Sequence, residues 1–220
     1  MKIAIMQPYF FPYLGYFQLM NAVDIWVNMD HASFIKKGFM HKNVIEGEQP
    51  IRLPLLGASQ NKNTREIQVD FQSKDFGKLK TTLEHKYKKA PYFDQALAIL
   101  ERAESSAPDS LAAFNLQLIH GIHSYLGMET KVVETSIGLT EQKKADGMIE
   151  IAQHFGADEV YNPIGGAQLY DKEYFRSQGI ELKFLKLDTE EAEDKLSIFH
   201  HLCHSSAEEI KSRLNDYILL

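Results

Sequence analysis

The opening 29 residues restrict the fold more tightly than the rest of the chain does. Residues 2–6 (KIAIM) are a short apolar run closed by Gln7-Pro8, the pattern of a buried strand entering a loop. Gly15 ends that loop. Residues 16–23 (YFQLMNAV) then read as a short helix, and residues 24–29 (DIWVNM) alternate and carry β-branched side chains, as a second strand would. Strand, loop, helix and strand in so short a span predict parallel pairing through a right-handed crossover.

The second half continues the theme. Residues 131–135 read as a strand, 143–155 as a helix stopped by Gly156, and 159–161 as a short strand running into Asn162-Pro163-Ile164-Gly165-Gly166. A helix over 171–178 is capped by Gly179, and residues 181–185 read as the last strand. This alternation predicts an α/β fold, a mostly parallel sheet with helices on both faces. Between the halves, residues 31–70 look like short strands and turns. A helix over 74–90 is ended by Ala90-Pro91, because a residue before proline avoids the helical region. Helices over 92–104 and 109–126 follow, the latter with Asp109 as N-cap and Gly127 as C-cap. Residues 74–126 are thus expected to form a mainly helical insertion, and residues 189–220 a C-terminal helical extension. No repeat or linker divides the 220 residues, so one domain is expected.

Composition narrows the function classes. The net charge of −6 gives no reason to expect nucleic acid as the main ligand. No run approaches the ~20 apolar residues of a membrane-spanning helix, and the N-terminal apolar run is too short for a signal peptide. The one cysteine, Cys203, cannot form an internal disulfide. A cytoplasmic protein is expected. The apolar end Tyr217-Ile218-Leu219-Leu220 needs cover, which a second copy of the chain could supply.

The loop after the first strand is the main candidate for function. Residues 7–17 hold Tyr9, Tyr13 and Tyr16 with three phenylalanines, Pro8, Pro12 and Gly15. Buried tyrosine hydroxyls need partners, prolines stiffen the chain, and ligands of open α/β sheets bind at the carboxyl ends of strands. Gln7, an amide at a strand end, must also be hydrogen-bonded to something. A core plug that happens to be aromatic is the competing reading.

The strings MQPYFFPYLGYFQLMNAVD at 6–24, KKAPYFD at 88–94 and NPIGGAQLYDKEYFRSQGIELKFL at 162–185 resemble the WbqC-like protein family, and the resemblance runs from the first strand to Leu187. The family is associated with bacterial surface-polysaccharide (O-antigen) gene sets. Its members are suspected of transferring an acyl or aminoacyl group, such as glycine, to a sugar. The chain departs from the family pattern at His31, where relatives carry a second acidic residue, and at Lys37 or Lys42, where they carry arginine. The N-terminal unit is also similar to that of nucleotidylyltransferases of the HIGH type, with Tyr13 and Tyr16 around Leu14-Gly15 at histidine-like positions. Neutral tyrosines carry no charge to offer a phosphate, so a related fold is a more natural expectation than the same reaction.

Three other segments join the candidate list. Residues 30–43 (DHASFIKKGFMHKN) hold Asp30, His31, Lys37, His41, Lys42 and Asn43. His31 is suited to general-base work near neutral pH, and Lys37 or Lys42 to an anion; a solvated basic turn is the alternative. In residues 83–93, Tyr92 follows Pro91 and could line a pocket, whereas His85 reads as a surface histidine. In residues 162–171, Asn162, Gly165, Gly166 and Tyr170 lie between a strand and a helix, where backbone amides can meet an anion. A tight packing turn explains the glycines equally well, and neither GxxxxGK[ST] nor GxGxxG is present. His200, His201 and His204 read as a helix-surface cluster, and no metal or other cofactor is expected.

The resulting expectation is a transferase moving an acyl or aminoacyl group onto an amino sugar or nucleotide sugar. His31 is the base, Gln7, Tyr16 and the backbone at 165–166 are oxyanion donors, and Tyr9, Tyr13, Gly15, Asp30, Lys37, Asn43, Tyr92, Asn162, Gly165, Gly166 and Tyr170 bind substrate. A non-catalytic nucleotide-sugar-binding module and a divergent nucleotidylyltransferase are the alternatives.

Overall fold

The computed structural model describes residues 1–135, 138, 144–188 and 195–220. The chain opens with β1 (Lys2–Met6), α1 (Leu14–Asn21) and β2 (Ile25–Asn28). Two small hairpins follow, β3 (Lys42–Ile45) with β4 (Gln49–Arg52) and β5 (Leu55–Leu56) with β6 (Gln68–Val69). Three helices come next, α2 (Lys74–Tyr87), α3 (Phe93–Ser105) and α4 (Leu111–Tyr125). Then β7 (Lys131–Val133), α5 (Lys144–His154), β8 (Glu159–Pro163), α6 (Lys172–Ser177) and β9 (Glu181–Leu187) alternate. The chain closes with α7 (Ile198–His204), α8 (Ala207–Ser212) and β10 (Tyr217–Leu219).

The main sheet has the order β10-β9-β8-β1-β2-β7. All pairings are parallel except that of β10 on β9. β1 and β2 pair with Ile3 opposite Ile25 and Met6 opposite Asn28, as the strand-loop-helix-strand reading requires. Alternate residues of each strand enter two separate cores. Ile3, Ile5, Ile25, Val27, Val160, Leu182 and Phe184 meet Met148, Ile149, Ile151 and Ala152 of α5 and Phe175 of α6. Ala4, Met6, Trp26, Tyr161 and Leu185 face a larger core with α1, the three helices α2–α4 and α7. A sheet buried on both faces explains why β1 reads as a continuous apolar run and why every residue of β2 is buried, although its sequence reads as alternating.

Four details depart from the sequence reading. Helix α1 starts at Leu14 because Tyr13, with extended backbone, is its N-cap. Helix α4 is capped by Ser110, whose Oγ accepts from Ala113 N at 3.2 Å; Asp109 lies exposed outside it. β9 is not the last strand. The C-terminal segment is helical only in part, since its apolar end pairs antiparallel with β9 as β10 and is covered by the chain's own sheet on that side. The turn before β10 is tied to α1 by Gln18, whose buried Nε2 donates to Arg213 O and Asp216 O at 2.9 and 3.0 Å.

The strand order creates the site. β2 and β7 extend to one side of β1, and β8 and β9 to the other. Connections therefore leave β1 and β8 in opposite directions, opening a crevice at their carboxyl ends. The segments that follow those ends are residues 7–13 and 164–171. Among the described residues, no helix is long and apolar enough to cross a membrane.

Candidate functional site

A non-repetitive segment in the interior must find donors for its carbonyls, and in residues 7–13 nearly every one is accounted for. Tyr16 Oη donates to Gln7 O at 3.0 Å. Asn115 Nδ2, from α4, donates to Pro8 O at 3.0 Å and to Met40 O at 2.7 Å. Asn43 Nδ2 donates to Phe10 O at 3.3 Å and Phe11 O at 2.6 Å, and its Oδ1 accepts from Val44 N at 2.8 Å. Ser197 Oγ donates to Phe11 O at 2.9 Å, and Ile198 N to Pro12 O at 2.8 Å. Phe11 itself has φ of 40°, a left-handed conformation that costs a non-glycine residue of order 1–3 kcal/mol and persists only where the surroundings over-determine it. Here they do: its ring packs edge-on against Phe199 at 5.1 Å and beside Phe10 at 5.2 Å.

This scaffold presents a cluster of tyrosines at the crevice. Tyr9 and Tyr13 are half-buried and Tyr16 is fully buried, its ring 5.7 Å from Tyr9 and 4.7 Å from Trp26. Tyr9 Oη donates to Gln7 Oε1 at 3.4 Å. Tyr170, from the segment after β8, is close enough to Tyr9 to act on its ionisation. Burial first, then the neighbouring Tyr13 and Tyr170, push the Tyr9 hydroxyl up to about 12. Burial likewise raises Tyr13, Tyr16 and Tyr170, Tyr16 furthest. At neutral pH all four are protonated donors rather than bases.

Two glycines permit the approach of the walls. A Cβ at Gly15 would lie 2.5 Å from Leu187 Cδ1 and 2.6 Å from the Tyr13 ring. A Cβ at Gly166 would collide with Oδ1 of the buried Asn162. Gly165 has open space where a side chain would go. Of the pair, only Gly166 is sterically required, and a wide groove of about 650 Å³ continues from Tyr170 past Ile164, Leu169 and Phe184.

At the end of the adjacent β2, Asp30 is buried and heavily held. Its Oδ2 accepts from Arg65 Nη1 at 2.5 Å, its Oδ1 from Thr135 Oγ1 at 2.9 Å, and its carbonyl from Thr64 Oγ1 at 2.6 Å. His31 Nδ1 lies 3.9 Å from Asp30 Oδ1, with a side chain 38% exposed. The two form a histidine–carboxylate pair beside a small cleft of about 220 Å³ that includes Arg65, Ser110, Glu134 and Thr135.

The basic segment sorts differently from the sequence reading. Lys37 is exposed in a turn, whereas its neighbour Lys36 joins Arg52, Phe34, His41 and Leu53 around a pocket of about 520 Å³. Burial, then Arg52 and Lys42, hold the His41 imidazole down to about 4. The loop from Phe34 to His41 borders both this pocket and the tyrosines, since the Phe39 ring sits 5.9 Å from Tyr9 and 6.5 Å from Tyr13. Asn43 is spent on the loop carbonyls. Tyr92 sits elsewhere, at the start of α3, with its amide donating to Cys203 O at 3.0 Å. His200 and His201 are buried, which corrects the surface-cluster reading; only His204 is exposed. Asn115, Arg65 and Ser197 were missed from sequence because each acts across more than thirty residues of chain, and no local pattern marks such a partner.

The model of the WbqC-like protein family matches residues 7–211. An uncharacterized protein of Mycobacterium tuberculosis, Rv1507c, is 25% identical over 195 residues, covering 85% of this chain and 83% of its own. No solved structure matches the chain.

Proposed function

The chain belongs to the WbqC-like protein family, and on that premise we propose that it is a transferase of surface-polysaccharide (O-antigen) assembly, moving an acyl or aminoacyl group such as glycine onto an amino sugar carried on a nucleotide. One observation carries the reading. Gln7, Tyr9, Tyr13, Tyr16 and Tyr170 converge at the carboxyl ends of β1 and β8. Neutral hydroxyls beside aromatic faces suit a sugar, which offers both hydroxyls and apolar C–H surface. The pocket with Lys36 and Arg52, reached by the same loop, suits the anionic part of the substrate.

The chemistry then falls to a residue outside the tyrosine cluster. The sugar amine attacks the acyl carbonyl, and His31 takes its proton, the positive charge it gains being stabilised by the Asp30 carboxylate 3.9 Å away, which Arg65 and Thr135 hold in place. Tyr9, Tyr13 and the Gly165 amide, in the first turn of the short helix that follows β8, are the donors for the developing oxyanion, and the acyl donor's leaving group departs as the intermediate collapses. Tyr16, whose hydroxyl is bonded to Gln7 O, positions the loop. That Asp30, the neighbour of His31, lines a separate cleft holding none of the four tyrosines favours a second reading, a nucleotide-sugar-binding module without turnover. A divergent nucleotidylyltransferase related to the HIGH type ranks below both, because Tyr13 and Tyr16 bring no charge to a triphosphate.

Calorimetric titration with nucleotide sugars, followed by a transfer assay with acyl and aminoacyl donors, tests the proposal. Binding that weakens about tenfold in Tyr9→Phe, with turnover abolished and affinity kept in His31→Ala, is the expected outcome. Binding without turnover would leave the module reading. Pyrophosphate release from a nucleoside triphosphate would favour the third, and no binding of any nucleotide sugar would defeat the first two.

A further inference from the structure

We propose that Glu46, His200 and His204 form a binding site for a divalent transition metal, with zinc as the ion that fits best. The site is independent of the crevice and of the transferase reading. From sequence, His200 and His204 lacked a third ligand; the fold supplies it from a segment more than 150 residues away. One ligand atom from each of the three residues lies within 4.8 Å of the other two. His200 and His204 are one turn apart on α7, with ring centroids 4.7 Å apart, and His204 Nε2 is 3.9 Å from Glu46 Oε2.

The surroundings resemble a built site more than a chance meeting of side chains. His200 is only 6% exposed, and its Nδ1 lies 3.3 Å from Tyr87 Oη. The same hydroxyl accepts from Glu46 N at 3.1 Å, so one group at the end of α2 orients both the imidazole and the backbone of the carboxylate. Metal-binding histidines are commonly held in this way through their second ring nitrogen. Gly47, with φ of 74°, makes the turn that carries Glu46 toward α7. Glu46 and His204 are exposed, so their side chains can rotate the short distance needed for bonds of ~2.0–2.2 Å. Two imidazoles and a carboxylate suit zinc, leaving a fourth position for water. Cys203 is not part of the set: it is fully buried, and burial drives its thiol well above the usual range. A bound ion would clip the turn between β3 and β4 to α7.

The test uses tag-free, EDTA-treated full-length protein titrated with Zn²⁺ by calorimetry and with Co²⁺ by visible absorption. The expected result is one equivalent bound at micromolar Kd or tighter, the intense visible bands of tetrahedral Co²⁺, and a Tm raised by roughly 5–10 °C at a hundredfold excess over Kd. Glu46→Gln and His204→Ala should each weaken binding at least tenfold while leaving the metal-free Tm nearly unchanged, and His85→Ala, on the exposed side of α2, should bind as the parent does. Binding at millimolar strength only, or binding equal in all variants, would overturn the site.

Discussion

The aromatic loop can be dissected at Phe11 O, because two side chains share that one buried acceptor. In Asn43→Ala, Phe10 O loses its donor and Val44 N its acceptor, but Phe11 O keeps the Ser197 hydroxyl. Leaving a buried polar group unsatisfied costs about 1–3 kcal/mol, so this variant should lose about 2–4 kcal/mol. In Ser197→Ala, Phe11 O keeps the Asn43 amide, and the main loss is the cap on α7, where Ser197 Oγ accepts from Phe199 N at 3.3 Å; about 1 kcal/mol is expected. Only the double variant strips Phe11 O of both donors. It should therefore be worse than the sum of the singles by about 1–2 kcal/mol, with the strained φ of Phe11 no longer held. Urea denaturation of the parent, both singles and the double, followed by circular dichroism, measures the cycle. Additivity within about 0.3 kcal/mol, or a loss below 0.5 kcal/mol in Asn43→Ala, would refute the claim that these hydrogen bonds hold the loop.

Other expectations are simpler to state. Gly166→Ala should displace Asn162 and reduce ligand affinity, whereas Gly165→Ala, with open space for its methyl, should leave affinity within twofold; equal effects would remove the steric argument. Gly15→Ala should cost about 1–3 kcal/mol in chemical denaturation, since its methyl has to displace Leu187 or the Tyr13 ring. His41 gives a pH test. Its folded value of about 4 lies below the ordinary 6.5, so stability is full above pH 6.5 and falls as the pH drops toward 4, where the unfolded chain alone binds the proton. The loss across that window should be on the order of 2–3 kcal/mol and should flatten in His41→Gln; an unchanged slope in that variant would mean His41 is not the group responsible.

What the sequence disclosed depended on the range of each interaction. The parallel pairing of β1 with β2 and the alternation from β7 to β9 were legible because apolar runs, proline and glycine act within a few residues. β10 was not, because three residues after a turn carry no periodicity, and only the edge of β9 makes them a strand. At the site, Gln7, Tyr9, Tyr13 and Tyr16 announced themselves by density in one loop. Tyr170 came from a second loop, and only the strand order brings the two loops to one crevice. Lys36 was passed over for Lys37 since neighbours in a turn look alike until one of them faces a pocket. The third metal ligand, Glu46, is an ordinary exposed glutamate until α7 lies beside it.

The same hydrogen bonds decide whether the aromatic loop is a lid or a wall. To open, residues 7–12 would release donors from α4, from β3, from α1 and from the start of α7 together. Each such bond, broken in a buried setting, costs more than its net contribution to folding, so concerted opening is far outside thermal reach. The loop is a wall, and its tyrosines are pre-arranged, which spares a ligand the cost of ordering them. The segment that packs against Tyr9 and Tyr13 through Phe39 is different. Residues 35–39 carry exposed Ile35, Lys36, Lys37 and Phe39, closed by the turn bond from Gly38 N to Ile35 O and by Phe39 O accepting from Phe10 N. If a segment moves to admit substrate, it is this one. Its movement would shift Lys36 and Phe39 together, so binding of the anionic end at the pocket and access to the tyrosines should be coupled. Phe39→Ala should therefore speed ligand association and also loosen anion binding at Lys36. An effect on only one of the two would separate the pocket from the crevice.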